Sequence, residues 1–170
     1  KEREKIALFG RAQFNYYKSG TGSGGMVNTS YVTGIREALE GSSFVLNEKL
    51  KAVYEEWLKD NPFDAGAGWA GEPWFQKEMP LTEELVADAA KESHTAVIIL
   101  ARTAGEDQDN KAATGSYLLT EAEEEMLRLV CGGFARTVVL LNVGNIIDMK
   151  WVERYQPSEV MYVWQGGKEC

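Results

Sequence analysis

The run Thr95-Ala96-Val97-Ile98-Ile99-Leu100 constrains the fold more than any other stretch of this chain. It is apolar and β-branched without the polar alternation of a half-solvated strand, so it reads as a central parallel strand covered on both faces. In open α/β sheets built around such strands, ligands gather outside the carboxyl ends. The residues that follow are therefore the first place to look for chemistry: Ala101-Arg102-Thr103-Ala104-Gly105-Glu106-Asp107-Gln108-Asp109-Asn110. Gly105 relieves the backbone just before Glu106, and the polar run to Gly115 is a loop able to present that carboxylate to a cleft. The competing reading of Glu106 is a solvated loop acid.

Strand and helix patterns alternate along the rest of the chain. Ile6-Ala7-Leu8-Phe9 is a first strand closed by Gly10, and residues 43–46 are a short second one. Helices are predicted over residues 33–39 and 48–59, the latter with Leu50, Val53, Tyr54, Trp57 and Leu58 on one buried face. A third helix, residues 83–91, is capped by Thr82 and leads into the strand at 95–100. A fourth begins at Thr120, which forms a capping box with Glu123 ahead of an inner stripe of Ala122, Met126, Leu127 and Val130. Residues 137–141 are the fourth strand, 149–154 a short helix ended by Pro157, and 160–164 the fifth strand. The alternation predicts an α/β fold, a three-layer α/β/α sandwich around a mainly parallel five-stranded sheet.

Composition narrows the partners. The length, 170 residues, fits one domain with a sizeable core. A net charge of −8 with no Lys/Arg cluster opposes binding to phosphate backbones and anionic lipid, so neither nucleic acid nor membrane is an expected partner. Cys131 and Cys170 make neither a disulfide framework nor a metal-ligand spacing; both read as plain thiols, and no metal site is expected. The start Lys1-Glu2-Arg3-Glu4-Lys5 is not a signal peptide, which favours a cytoplasmic setting without assigning one. With no initiator Met and a last stretch that is a glycine-containing loop, the chain reads as a piece of something longer.

Three further features compete for meaning. Gly20-Thr21-Gly22-Ser23-Gly24-Gly25 formally contains a dinucleotide fingerprint, but that motif sits in the turn leaving its strand, and here the segment from Gly10 to Ser19 intervenes. A loop that shapes a substrate site fits so many glycines better, and no nucleotide cofactor is expected. The acidic run Glu121, Glu123, Glu124 and Glu125 occupies a helix's first turns, where the macrodipole favours carboxylates, so solvated structural acids are expected. The aromatics of Trp69-Ala70-Gly71-Glu72-Pro73-Trp74-Phe75 either stack on a ligand or fold inward as a plug. His94 has no partner that would build a catalytic triad and is read as a surface residue.

Taken in order, Ala7-Leu8-Phe9-Gly10-Arg11, Gly20-Thr21-Gly22-Ser23-Gly24, Arg102-Thr103-Ala104-Gly105-Glu106, Leu118-Leu119-Thr120, Val139-Leu140-Leu141-Asn142-Val143-Gly144 and Trp164-Gln165-Gly166-Gly167 resemble the carboxyl-terminal α/β-sandwich domain of glycoside hydrolase family 3, which includes β-glucosidases. The resemblance covers nearly the whole chain. It implies a flavodoxin-like strand order with the first and third strands adjacent, and it implies that Glu106 is the general acid/base of a retaining glycosidase. Gly22, Ser23, Arg102, Asp109, Trp69 and Trp74 become candidate substrate-binding residues for a β-linked glucoside or oligosaccharide. Asp107 and Asp109 read equally as acids that shape the loop. The family's nucleophile is an Asp on a preceding barrel domain, the expected partner, and is absent from these residues. The family motif usually continues Gly-Gly-x-Glu-Gly-Gly, whereas this chain reads Gly166-Gly167-Lys168-Glu169-Cys170. The alternative from another class is a non-catalytic binding or regulatory module of flavodoxin-like fold.

Overall fold

The computed structural model describes residues 3–23, 25, 28 and 30–167. Gly24 of the glycine loop and the closing Lys168-Glu169-Cys170 lie outside the described residues. The strands are β1 (Lys5–Phe9), β2 (Val45–Leu46), β3 (Thr95–Arg102), β4 (Arg136–Val143) and β5 (Glu159–Tyr162). They pair in the order β2-β1-β3-β4-β5, every pairing parallel. The sheet is thus wholly rather than mainly parallel, in the flavodoxin-like order. β1 and β3 lie side by side in the register Ile6 to Thr95 through Phe9 to Ile98. The strand order reverses between them, so the crevice of this sheet opens where their connections part.

The helices are α1 (Ile35–Glu40), α2 (Glu48–Asp60), α3 (Glu83–Glu92), α4 (Glu121–Gly133) and α5 (Lys150–Tyr155). One sheet face carries Ala7, Phe9, Ala96, Ile98, Leu100, Val139 and Leu141, packed with Leu50 and Tyr54 of α2, Val86 of α3, Met126 of α4 and Trp151 of α5. The other carries Ile6, Leu8, Val97 and Ile99 with Leu46, covered by Ile35 and Leu39 of α1. β3 is buried along almost its whole length, as an uninterrupted apolar strand requires. Helix starts follow local chemistry. Asn47 accepts from the Leu50 N–H, Thr82 from Leu85, and Thr120 from Glu123, whose carboxylate returns to the Thr120 N–H.

Several expectations need correction. The second strand pairs only at Val45 and Leu46, because Ser42 closes a local turn onto the Leu39 carbonyl and Arg3 takes the Ser42 and Ser43 carbonyls. β5 stops at Tyr162; Trp164 turns to φ 54°, and its carbonyl accepts from Asn142 instead of from a strand. Val53, placed on the inner face of α2, is 40% exposed because it lines an open groove between α2 and α3.

Glu123 is the larger correction, since it is not solvated. Its carboxylate, 5% exposed, meets the Arg102 guanidinium through two hydrogen bonds, at 2.5 and 2.7 Å. The same guanidinium donates to the Ser116 and Ala101 carbonyls and stacks near the Phe75 ring. The pair therefore fastens the end of β3 to the first turn of α4 and to the loop between them. Removing one partner strands a buried charge, which costs about 3–5 kcal/mol. Glu123→Ala is accordingly expected to lower unfolding stability by that order in urea denaturation. Glu125→Ala, whose pair with Arg128 is exposed to solvent, should leave the midpoint nearly unchanged.

Candidate active site

Past Arg102 the chain leaves β3 and closes a tight turn, with the Gln108 N–H donating to the Gly105 carbonyl at 3.1 Å. Glu106 and Asp107 form its tip, and Asp107 adopts φ 59°, a left-handed conformation uncommon outside glycine. The glycine loop from β1 runs alongside. Thr21 N–H donates to the Ala104 carbonyl and Glu106 N–H to the Thr21 carbonyl, both at 3.3 Å. This approach excludes side chains. A Cβ on Gly105 would lie 2.4 Å from the Thr21 carbonyl oxygen, and one on Gly22, at φ +83°, would lie 2.4 Å from the Glu106 Cβ. The fingerprint-like glycines thus serve backbone contact with the Glu106 turn.

Residues 69–72 close the other side. Trp69 Nε1 donates to an Asp107 carboxylate oxygen at 3.1 Å, and Gln108 Nε2 donates to the Ala70 and Glu72 carbonyls at 3.1 and 2.9 Å. Between the two loops lies a cleft of about 420 Å³ whose lining includes Thr21, Gly22, Trp69, Ala70 and Glu72. Its walls are the same loops that grip the Glu106 turn.

Glu106 itself is exposed, and Ser23 donates its backbone N–H to a Glu106 carboxylate oxygen at 3.1 Å. That bond, with a second from the Ser23 hydroxyl, holds the carboxyl below the usual glutamate range against a small desolvation cost. In this exposed setting the ionised form is favoured, which is the form a general base needs. Glu72, half-buried in the cleft wall, shifts upward because burial penalises its charge. Glu78 is raised to about 7 by burial, but it is enclosed and its oxygens accept the Arg11 and Met79 N–H groups, so it braces the core rather than serving the cleft.

The candidate residues separate clearly. Gly22, Ser23 and Glu106 come together, and Trp69, 54% exposed, stands on the cleft wall beside them. Arg102 does not reach the cleft, because its donors are spent on Glu123 and on backbone carbonyls beneath the loop. Trp74 and Phe75 take the plug alternative: Trp74 is half-buried, its carbonyl accepts the Thr103 N–H, and Lys111 sits over its ring. Asp109 is exposed and engages no hydrogen bond or ion pair among the described residues. His94 is exposed, as expected of a surface residue. Cys131 is part-buried, which pushes its thiol up to about 11 and leaves it inert.

Gln108 and Asn142 gave no functional signal in the sequence. Asn142 is fully buried at the end of β4, accepting from the Tyr17 N–H and donating to the Tyr17 and Trp164 carbonyls. It ties the approach to the glycine loop to the segment after β5. Among the described residues no three His, Cys, Asp or Glu side chains form a group able to hold a metal.

Residues 1–170 match the glycosyl hydrolase family 3 C-terminal domain. The chain belongs to this family. It is 54% identical over 160 residues to a β-glucosidase of Ruminococcus albus, covering 94% of this chain and 17% of that protein. It is 32% identical to β-glucosidase A of Butyrivibrio fibrisolvens, covering 97% of this chain and 22% of that one. A β-glucosidase structure from Paenibacillus barengoltzii superposes with a TM-score of 0.93 at 50% identity, over 98% of this chain and 18% of that one. β-Glucosidase 3B of Thermotoga neapolitana, solved in complex with glucose, gives 0.83 at 28% identity, over 99% of this chain and 24% of that one. The chain thus spans less than a quarter of the length of each of these relatives.

The Ser23 contact has a measurable consequence. In a carbon-13 NMR titration of this family 3 domain, Glu106 should titrate below an ordinary glutamate. Ser23→Ala should move it upward by deleting the hydroxyl donor, and Asp109→Ala should leave it in place. No movement with Ser23→Ala would show that the hydroxyl does not act on Glu106.

Proposed function

We propose that this chain is the acid/base-bearing domain of a retaining β-glucosidase, acting with an amino-terminal barrel domain of the parent protein on a β-linked glucoside or oligosaccharide. The observation that carries the reading is the Glu106 turn. An exposed carboxylate stands at the switch point of a parallel sheet, fixed by backbone contacts on one side and by the Trp69 loop on the other. A non-catalytic binding module has no need for an acid held so firmly at a cleft rim.

A retaining glycosidase uses two carboxyl groups about 5 Å apart. The nucleophile, which the family resemblance assigns to the barrel, attacks the anomeric carbon while Glu106, protonated, gives its proton to the departing glycosidic oxygen. In the second step ionised Glu106 takes a proton from water, which then attacks the glycosyl-enzyme. The Ser23 bonds favour that second, ionised state. Protonation for the first step requires an opposing effect, and docking of the barrel supplies two: loss of solvent around Glu106 and the negative charge of the nucleophile both raise a carboxyl pKa. Trp69 offers an exposed aromatic face beside the cleft for a sugar or aglycone.

In the complete enzyme, Glu106→Ala is expected to lower turnover of glucosides with poor leaving groups by about 10²–10⁴-fold, the usual contribution of general acid-base catalysis. Activated aryl glucosides need the proton less, so they should still form the glycosyl-enzyme and stall there, with added azide restoring turnover. Asp109→Ala should show no azide rescue. Equal losses of kcat/KM, which reports glycosylation, on good and poor leaving groups for Glu106→Ala would refute the assignment.

A further inference from the structure

We infer that Gln108 is a positioning residue for the acid/base, and that residues 69–72 act through it as the strap that sets where Glu106 stands over the cleft; this rests on the reading of Glu106 as the acid/base. The turn bearing Glu106 needs two restraints. The glycine loop supplies one, through Thr21 and Ser23, but it touches only the β1 side. On the far side the turn meets the strap through the Trp69 to Asp107 bond and through the Gln108 amide. The Trp69 bond is exposed, whereas the Gln108 bonds are part-buried. A primary amide carries two N–H donors, and here both are spoken for, one by the Ala70 carbonyl and one by that of Glu72.

Two facts separate this from ordinary loop packing. Gln108 closes the four-residue turn, two positions from Glu106, so any shift of its side chain is passed to the carboxylate through one hydrogen-bonded ring. Its partners, Ala70 and Glu72, also line the cleft, so its amide, the part-buried of the two links, ties the proton donor to the wall that a substrate leans on. A misplacement on the order of 1 Å is enough to cost roughly 100-fold in a positioned reaction. Nothing in Gln108 itself needs to touch the substrate.

The test uses the complete enzyme carrying Gln108→Ala or Gln108→Glu, assayed on alkyl and activated aryl glucosides. Loosening the turn should hurt the step that needs the proton. Gln108→Ala is expected to lower kcat on alkyl glucosides roughly 10- to 100-fold with KM little changed, while kcat/KM on activated aryl glucosides, which reports glycosylation alone, stays near the parent value. Gln108→Glu adds a readout that simple loss of packing does not give. Its carboxylate would face two carbonyl oxygens, but once protonated it can donate to one of them, so its kcat relative to the parent enzyme should recover as pH falls. If Gln108→Ala does not accumulate as folded protein, the pH dependence of the nearly isosteric Gln108→Glu decides the matter. Losses equal across leaving groups, a raised KM alone, or a Gln108→Glu ratio constant with pH would each overturn the proposal. Should Glu106→Ala show azide rescue while the Gln108 variants show none of these effects, the acid/base reading stands and the positioning role falls. If Glu106→Ala itself lacks the leaving-group dependence, it is the underlying reading that fails.

Discussion

The site rests on the close backbone approach of two loops that leave adjacent parallel strands. β1 and β3 pair directly, so the segments beyond Phe9 and Arg102 emerge side by side. At Gly22 and Gly105 there is no room for a Cβ, and the Glu106 N–H reaches the Thr21 carbonyl only because none is present. A loop acid alone would wander through many rotamers. Bound through its own backbone and through its carboxylate to a neighbouring loop, Glu106 is restrained without any ligand, as the proposed acid/base role requires.

Beneath the turn, polar groups that are buried and paired keep this arrangement from sliding. Arg102 and Glu123 join β3 to α4, and Asn142 joins the end of β4 to Tyr17 and Trp164. Such groups contribute little net stability over apolar substitutes, yet leaving one unpaired is costly, so they penalise alternative packings of the same loops. The same economy explains the opposite treatment of the carboxylates. Glu123 is enclosed and matched by a guanidinium, while Glu106 is exposed and matched only by weak donors, which leaves its proton affinity open to change when another surface covers it.

Regular elements were legible from sequence because burial imposes a period. β3, α4 with its capping box, the Thr82 cap and the faces carrying Leu50, Tyr54, Met126 and Val130 all follow from patterns within a window of a few turns. Glu106 stood out as a candidate for a different reason, a lone carboxylate after a glycine at the end of a buried strand, and only the family resemblance attached an acid/base role to it. Local patterns failed where a distant residue decides the outcome. Glu123 looks like a solvated first-turn acid until Arg102 is brought beneath it, and Arg102 looks like a ligand contact until the same pair is seen. Gln108 meets Ala70 and Glu72 across a long loop with no periodicity, and the left-handed Asp107 carries no glycine to announce it. Of the loop aromatics, sequence could not divide Trp69 from Trp74, because the division depends on whether Thr103 and Lys111 lie against the ring's own segment.

The most direct measurement is a crystal structure of the complete enzyme trapped as its covalent glycosyl intermediate by a slow glucoside. If this chain carries the acid/base of a retaining enzyme, the Glu106 carboxyl will stand about 5–5.5 Å from the glycosylated carboxylate, on the side of the departing oxygen. A different carboxyl in that place, or an enzyme that forms no covalent intermediate and holds its carboxyls roughly 6.5–9.5 Å apart as inverting enzymes do, would contradict the account.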